Sequence, residues 1–229
     1  MAPAPSAPKT DPERPLRRDA ERNRQRILEA AREVFAMRGL SVTMDDIAHH
    51  AGVGVGTVYR RFPDKELLID ALFEERIGML VAVAEQGLAE PDPWDGLVLF
   101  LERGVAEQAC DRGLKELLLG TVHGRDRVDR MRARLKPVVD ELIARAKAAG
   151  ALRADFEGTD LAVVHLMLGA AVDFTEDVKP ETWRRYLQLV VDGLRVDQRA
   201  APPLSQPAMS EDELDVAMRE WPGGRRRGA

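Results

Sequence analysis

Cysteine is nearly absent from this chain of 229 residues: Cys110 stands alone, so neither an intramolecular disulfide nor a thiolate zinc cluster can form. Aromatic residues make up only 5%. The longest uncharged apolar run, Leu161 to Val172, holds 12 residues, well short of the ~20 that span a bilayer. The N-terminus opens on Ala, Pro and Ser followed by charges and lacks the apolar stretch of a signal peptide. Membrane protein, secreted disulfide scaffold and zinc finger are thereby disfavoured, and the expected compartment is the cytoplasm, with no membrane partner. No run combines β-branched enrichment with strict alternation, so no sheet is expected. Nor is there a nucleophile elbow, a phosphate-cradling glycine loop or a cluster of His, Asp and Glu. No enzyme activity, cofactor or metal is called for, and His49-His50 has no ligand partners at suitable spacing.

What is present is a soluble globular composition, 45% hydrophobic and 32% charged, with a net charge of −5. The charge is unevenly placed. Residues 1–66 carry 12 basic against 10 acidic side chains, and the remainder carries 22 against 29. One part can approach a polyanion and the other need not.

Three- and four-residue spacing of apolar side chains runs through almost the whole chain and predicts an all-α protein of nine main helices. Residues 1–17, rich in proline, read as a flexible tail. From about Arg18, the residues Ile27, Leu28, Ala31, Val34 and Phe35 mark a helix that Gly39 stops. Thr43 caps a short helix with Ile47 and Ala48, Gly52-Val53-Gly54 turns the chain, a third short helix ends at Phe62-Pro63, and Asp64 caps a long fourth. Further helices begin near Pro93, Leu114, Asp126, Thr159 and Glu181, with Pro137 predicting a kink or break. Residues 18–66 thus form one domain and 67–197 a larger helical one. Residues 198–229 are a linker and tail, where the capping box Ser210-Glu211-Asp212-Glu213 allows a short helix.

The stretch Thr43 to Lys65 carries the function. Two short helices joined by a glycine turn behind a longer helix follow the helix-turn-helix plan. Ala48 and Gly52 are small enough for close crossing, and Ile47, Val53, Val58 and Phe62 point inward. Val55, Gly56 and Thr57 then lead a helix that enters a major groove, with Tyr59, Arg60, Arg61 and Lys65 where bases or phosphates pass.

Arg22 to about Arg76 resembles the DNA-binding domain of the tetracycline-repressor (TetR) family. The resemblance rests on AAREVFAMRG, Thr43, IA…AGV, LLIDAL and above all the run Gly-Thr-x-Tyr-x-x-Phe-x-x-Lys at Gly56, Thr57, Tyr59, Phe62 and Lys65. It implies an N-terminal three-helix DNA-binding domain followed by a ligand-binding and dimerisation domain. The implied partners are a palindromic double-stranded operator, a second copy of the chain, and an unknown small-molecule effector that releases a repressor from DNA. By family position Thr43, Tyr59 and Lys65 bind phosphates while Val55, Gly56, Thr57 and Arg60 face bases. The hydroxyl residue common at the turn is Gly54 here. A transcriptional activator of the same fold, or a dimeric helical enzyme or interaction protein with an accessory helix-turn-helix, stays open at this point.

In the larger half, Leu161–Phe174 is apolar nearly all round. One stripe holds Val163, Met167, Ala170 and Phe174, and another Leu161, Val164, Leu168 and Val172. By likeness to the family's four-helix interface, the expected dimer residues are Leu161, Val164, Leu168 and Val172 with Trp183, Leu187, Val190 and Leu194. Expected cavity residues are Phe100, Arg103, Leu118, His123, Met131 and His165.

Overall fold

The computed structural model describes residues 13–110, 124–175, 177–196 and 204–220. Among these the fold is all-α. The helices are α1 (Glu13–Arg38), α2 (Met44–Ala51), α3 (Val55–Arg61), α4 (Lys65–Ala89), α5 (Pro93–Cys110), α6 (Gly124–Ala148), α7 (Gly158–Thr175), α8 (Trp183–Leu194) and α9 (Glu211–Glu220). Short 3-10 turns at Gly39–Ser41 and Pro180–Thr182 lead into α2 and α8. One antiparallel bridge, Leu152 with Arg195, ties the turn after α6 to the end of α8.

Two expectations are corrected here. α1 begins at Glu13, ahead of Arg18, because Pro15 falls in the first turn, where a backbone N–H has no partner within the helix. α6 passes through Pro137 without a break, its packing against α4 and α5 outweighing the one lost ladder bond. The helix expected at Leu114 lies outside the described residues.

Two apolar cores divide the molecule. The first joins Ile27, Leu28, Ala31, Val34 and Phe35 of α1 to Ile47 and Ala48 of α2, Val58 of α3, and Leu68, Ile69 and Leu72 of α4. The second joins Ala84 of α4 to α5, α6, α7 and α8 through Leu97, Leu101, Leu142, Leu168, Trp183 and Leu187. α4 therefore belongs to both, and the first core extends past residue 66. Gly87 and Gly96 set how closely α4 and α5 cross: a Cβ on Gly87 would lie 2.6 Å from the Gly96 carbonyl oxygen. α7 alone among the described residues has the length and hydropathy of a membrane span; its buried stripe packs into the second core with α5 and α8.

Candidate nucleic-acid interface and ligand cavity

The turn between α2 and α3 is fixed by its backbone. Gly52 adopts φ +62°, the left-handed conformation that a side chain disfavours, and its N–H donates to the carbonyls of Ala48 and His49. Arg26 of α1 reaches the same point, its Nη2 donating to the Ala51 carbonyl at 2.8 Å. At the other end of α2, Thr43 and Asp46 form a reciprocal capping box: the Asp46 N–H donates to Thr43 Oγ1 (3.2 Å), and the Thr43 N–H donates to Asp46 Oδ2 (2.9 Å). The Thr43 hydroxyl also donates to Asp46 (2.7 Å). These bonds, with help from Arg38, hold the Asp46 carboxyl down at about 2. α3 is preceded at its N-cap by Gly54, whose missing side chain leaves no capping bond.

Held in this way, α3 fully buries only Val58. Val55, Gly56, Tyr59, Arg60 and Arg61 are exposed and Thr57 is half-buried. Arg60 Nη2 donates to Thr57 Oγ1 at 3.3 Å, so these two share one edge. A Cβ on Gly56 would meet nothing within 4 Å, which leaves that position open to close approach. Lys65 is half-buried at the start of α4, with Nζ 5.8 Å from the centre of the Phe35 ring, and burial lowers its pKa against the opposing pull of Glu66. The eight sequence-selected residues thus gather on α3 and at the starts of α2 and α4. Arg26, which sequence reasoning passed over, positions them from behind. His50, on the same domain, meets Glu33 at 2.6 Å.

A cavity of about 650 Å³ lies between α4, α5, α6, α7 and the segment leading into α9. Phe100 and His165 line it, as expected from the sequence. Arg103 does not: it is exposed on the outer side of α5, whereas Phe100 and Gly104 form the cavity side. Leu118 and His123, and the side chain of Met131, lie outside the described residues. Most of the wall is apolar, with Leu80, Leu135, Val139, Ile143, Leu161 and Leu166.

One buried charged group on the wall is one that sequence reasoning missed. Arg76 is buried, its Nη1 donating to Glu107 Oε2 at 2.6 Å. It occupies a position on the stripe Ile69, Phe73, Arg76, Ile77, where an arginine among buried apolar neighbours was the available signal. His165 rests on Gly104, whose hypothetical Cβ would be 2.5 Å from Nε2. Its Nδ1 is 3.0 Å from the Leu161 carbonyl, and its ring centre is 6.0 Å from that of Phe100. His165 is half-buried and lines the cavity. Burial lowers its pKa, the Arg76 charge adds to that, and the Leu161 bond opposes both.

The expected dimer residues pack inside the chain instead. Leu161, Val164, Leu168, Val172, Trp183 and Leu187 are buried in the second core, and Val190 and Leu194 are half-buried against it. The apolar side chains left outside on α7, α8 and the link between them are Met167 (55% exposed), Phe174 (86%), Val178 (88%), Tyr186 (43%) and Leu189 (57%). Of the two stripes on α7, the one holding Met167 and Phe174 is the outer face.

This architecture matches known regulators over about four fifths of the chain. The model for bacterial regulatory proteins of the tetR family covers residues 27–72, and that for the SbtR-like transcriptional regulator C-terminal domain covers residues 92–196. A TetR transcription regulatory protein from Mycobacterium vanbaalenii is 38% identical at a TM-score of 0.59, over 79% of this chain and 99% of that one. The chain belongs to the TetR family of transcriptional regulators. A TetR regulator from Streptomyces coelicolor is 30% identical (TM-score 0.56), over 75% of this chain and 98% of that one. An HTH-type transcriptional regulator of Staphylococcus aureus is 38% identical over 85 residues, which is 36% of this chain and 44% of that relative. The chain therefore spans less than half the length of the curated relatives it matches, and α9 lies beyond both family models.

Proposed function

We propose that this TetR-family regulator is a homodimeric repressor that binds a palindromic operator in the cytoplasm and is released by a small molecule in the cavity. One observation carries the DNA reading. Val55, Gly56, Tyr59, Arg60 and Arg61 are exposed, and Thr57 half-exposed, on a helix whose turn is fixed by Gly52 and Arg26. In a major groove, Val55 and Thr57 meet thymine methyls and Arg60 meets base acceptors. Tyr59, Arg61 and Lys65 take phosphates, and Thr43 does so through an oxygen or N–H otherwise engaged with Asp46.

The outer apolar face of Met167, Phe174, Tyr186 and Leu189 serves as the dimer seam in place of the buried stripe. Coupling runs through α4, which packs in the first core and lines the cavity with Arg76 and Leu80. On its outer side Arg130 and Arg134 of α6 pair with Asp70 and Glu74, at 3.1 and 2.8 Å respectively. An occupied cavity that favours another α4–α6 arrangement changes the spacing of the two recognition helices.

A salt titration tests the DNA face. Lys65→Ala should weaken binding to all duplexes alike and reduce the salt slope by about one unit. Arg60→Ala should relax preference at one position per half-site. Unchanged slope and preference in both variants would reject the assigned face.

A further inference from the structure

The cavity wall carries charge, but every charged side chain on it is paired within ion-pair distance. Arg76 meets Glu107 at 2.6 Å, Lys136 meets Asp140 at 2.6 Å and Glu211 at 3.3 Å, and Lys147 meets Glu157 at 3.1 Å. The depth holds one ion pair and an imidazole whose Nδ1 is engaged by the Leu161 carbonyl; the other pairs lie among half-exposed groups at the rim. A charged ligand would lose its hydration here without gaining an uncommitted counter-charge. Thr159 Oγ1, buried on the same wall, has no hydrogen-bond partner in the described structure.

The rim is completed by a segment outside the matched C-terminal domain. Met209, Ser210, Glu211 and Leu214 all line the cavity. Leu214 is 5% exposed, yet it belongs to neither apolar core. Two contacts anchor the segment at its ends: Glu211 to Lys136, and the Leu204 N–H donating to Asp155 Oδ2 at 2.8 Å. Its helix is started locally by Ser210 and Glu213, each accepting from the other's backbone N–H. A short helix with its own cap, whose buried leucine lies outside both apolar cores, can detach without disturbing them.

We propose that the cavity takes an uncharged, mainly apolar molecule, and that residues 204–217 are a strap that closes over it through Leu214 and Glu211. This rests on the reading of the cavity as the effector site. An apolar guest adds to the contacts of Leu214 and Met209, so binding and closure reinforce each other, and escape of the guest requires the strap to lift.

The test uses the full chain and two fluorescent probes of one shape, N-phenyl-1-naphthylamine, which is uncharged, and its sulfonate 1-anilinonaphthalene-8-sulfonate. The uncharged probe should bind at least ~10-fold more tightly, the equivalent of one desolvated charge only partly penalised. Stopped-flow dissociation of that probe should speed up at least ~10-fold in Leu214→Asp, and by less in Glu211→Gln. Both variants should keep the wild-type helical circular dichroism, since neither residue is in a core. Equal or tighter binding of the sulfonate, or no binding of the uncharged probe, overturns the ligand class. Unchanged dissociation in both variants overturns the strap. A separate operator-binding assay keeps the two readings apart: a probe that binds as expected but leaves operator affinity unchanged contradicts the effector reading while the pocket chemistry stands.

Discussion

His165 shows how one side chain ties stability to the cavity. The groups facing it are Phe100 and Gly104 of α5, Arg76 of α4 with its partner Glu107, and the Leu161 carbonyl of its own helix. Its folded pKa lies below the ordinary 6.5, lowered first by burial and then by Arg76. As pH falls below that value, the unfolded chain takes up a proton that the folded chain refuses. Stability therefore drops on acidification and recovers on raising the pH. Urea unfolding between about pH 7 and pH 5 should show this slope, and His165→Gln should flatten it; equal slopes would contradict the buried neutral imidazole. Gly54 makes the opposite kind of case. Its φ of −66° and ψ of 140° suit any residue, and a Cβ there would meet only Thr57 Oγ1, at 3.9 Å. Gly54→Ser should supply the absent cap for α3 and raise stability by about 0.5–1 kcal/mol, read as a higher urea midpoint at unchanged slope. Residues of this kind were legible in the sequence where local geometry governs: Gly52 in its turn, Thr43 at its cap and Asp64 at the next cap each stand where spacing placed them. Arg76 was not, because its burial depends on α5 and α6 closing over α4.

Among the elements, the crossing of α4 and α5 is the most tightly specified. Gly96→Ala would drive a Cβ into the Gly87 carbonyl, and both are backbone, so no rotamer change relieves the contact. The variant should lose about 2–3 kcal/mol of stability, measurable by chemical unfolding. α7 separates what periodicity could show from what it could not. Its apolar length was plain, but two stripes competed for the core, and hydrophobicity alone does not say which faces inward. Packing against α5 and α8 decides it, burying Leu168 at 2% exposure and leaving Met167 outside. The two positions should therefore fail differently. Leu168→Glu should unfold the C-terminal half, whereas Met167→Glu should leave helical content and melting cooperativity intact and give a monomer by sedimentation. A folded, dimeric Met167→Glu protein would remove the assigned seam. The cavity was legible only in Phe100 and His165, since its other walls come from separate helices and from the segment before α9.

At the scale of the whole molecule, a small DNA-facing core and a larger cavity-bearing core share one helix, α4. On the proposed reading, that arrangement lets DNA affinity follow what the distant half is doing, without any contact between ligand and DNA. The proposed dimer makes symmetry part of the function: one recognition helix reads only a few base pairs, and two held by a seam would read an inverted repeat. With Val55 and Gly56 at the head of α3, the direct readout per half-site is poor in hydrogen bonds. Two linked half-sites and DNA shape must then supply selectivity. The most direct check is selection of duplexes bound by the full-length protein from a random pool, carried through several rounds and sequenced. The account predicts one enriched palindrome whose half-sites lie about one helical turn, roughly 34–36 Å, apart, with enrichment lost in Met167→Glu and Arg60→Ala. A pool that stays random, or a single unpaired half-site bound equally well by the Met167→Glu protein, would contradict it.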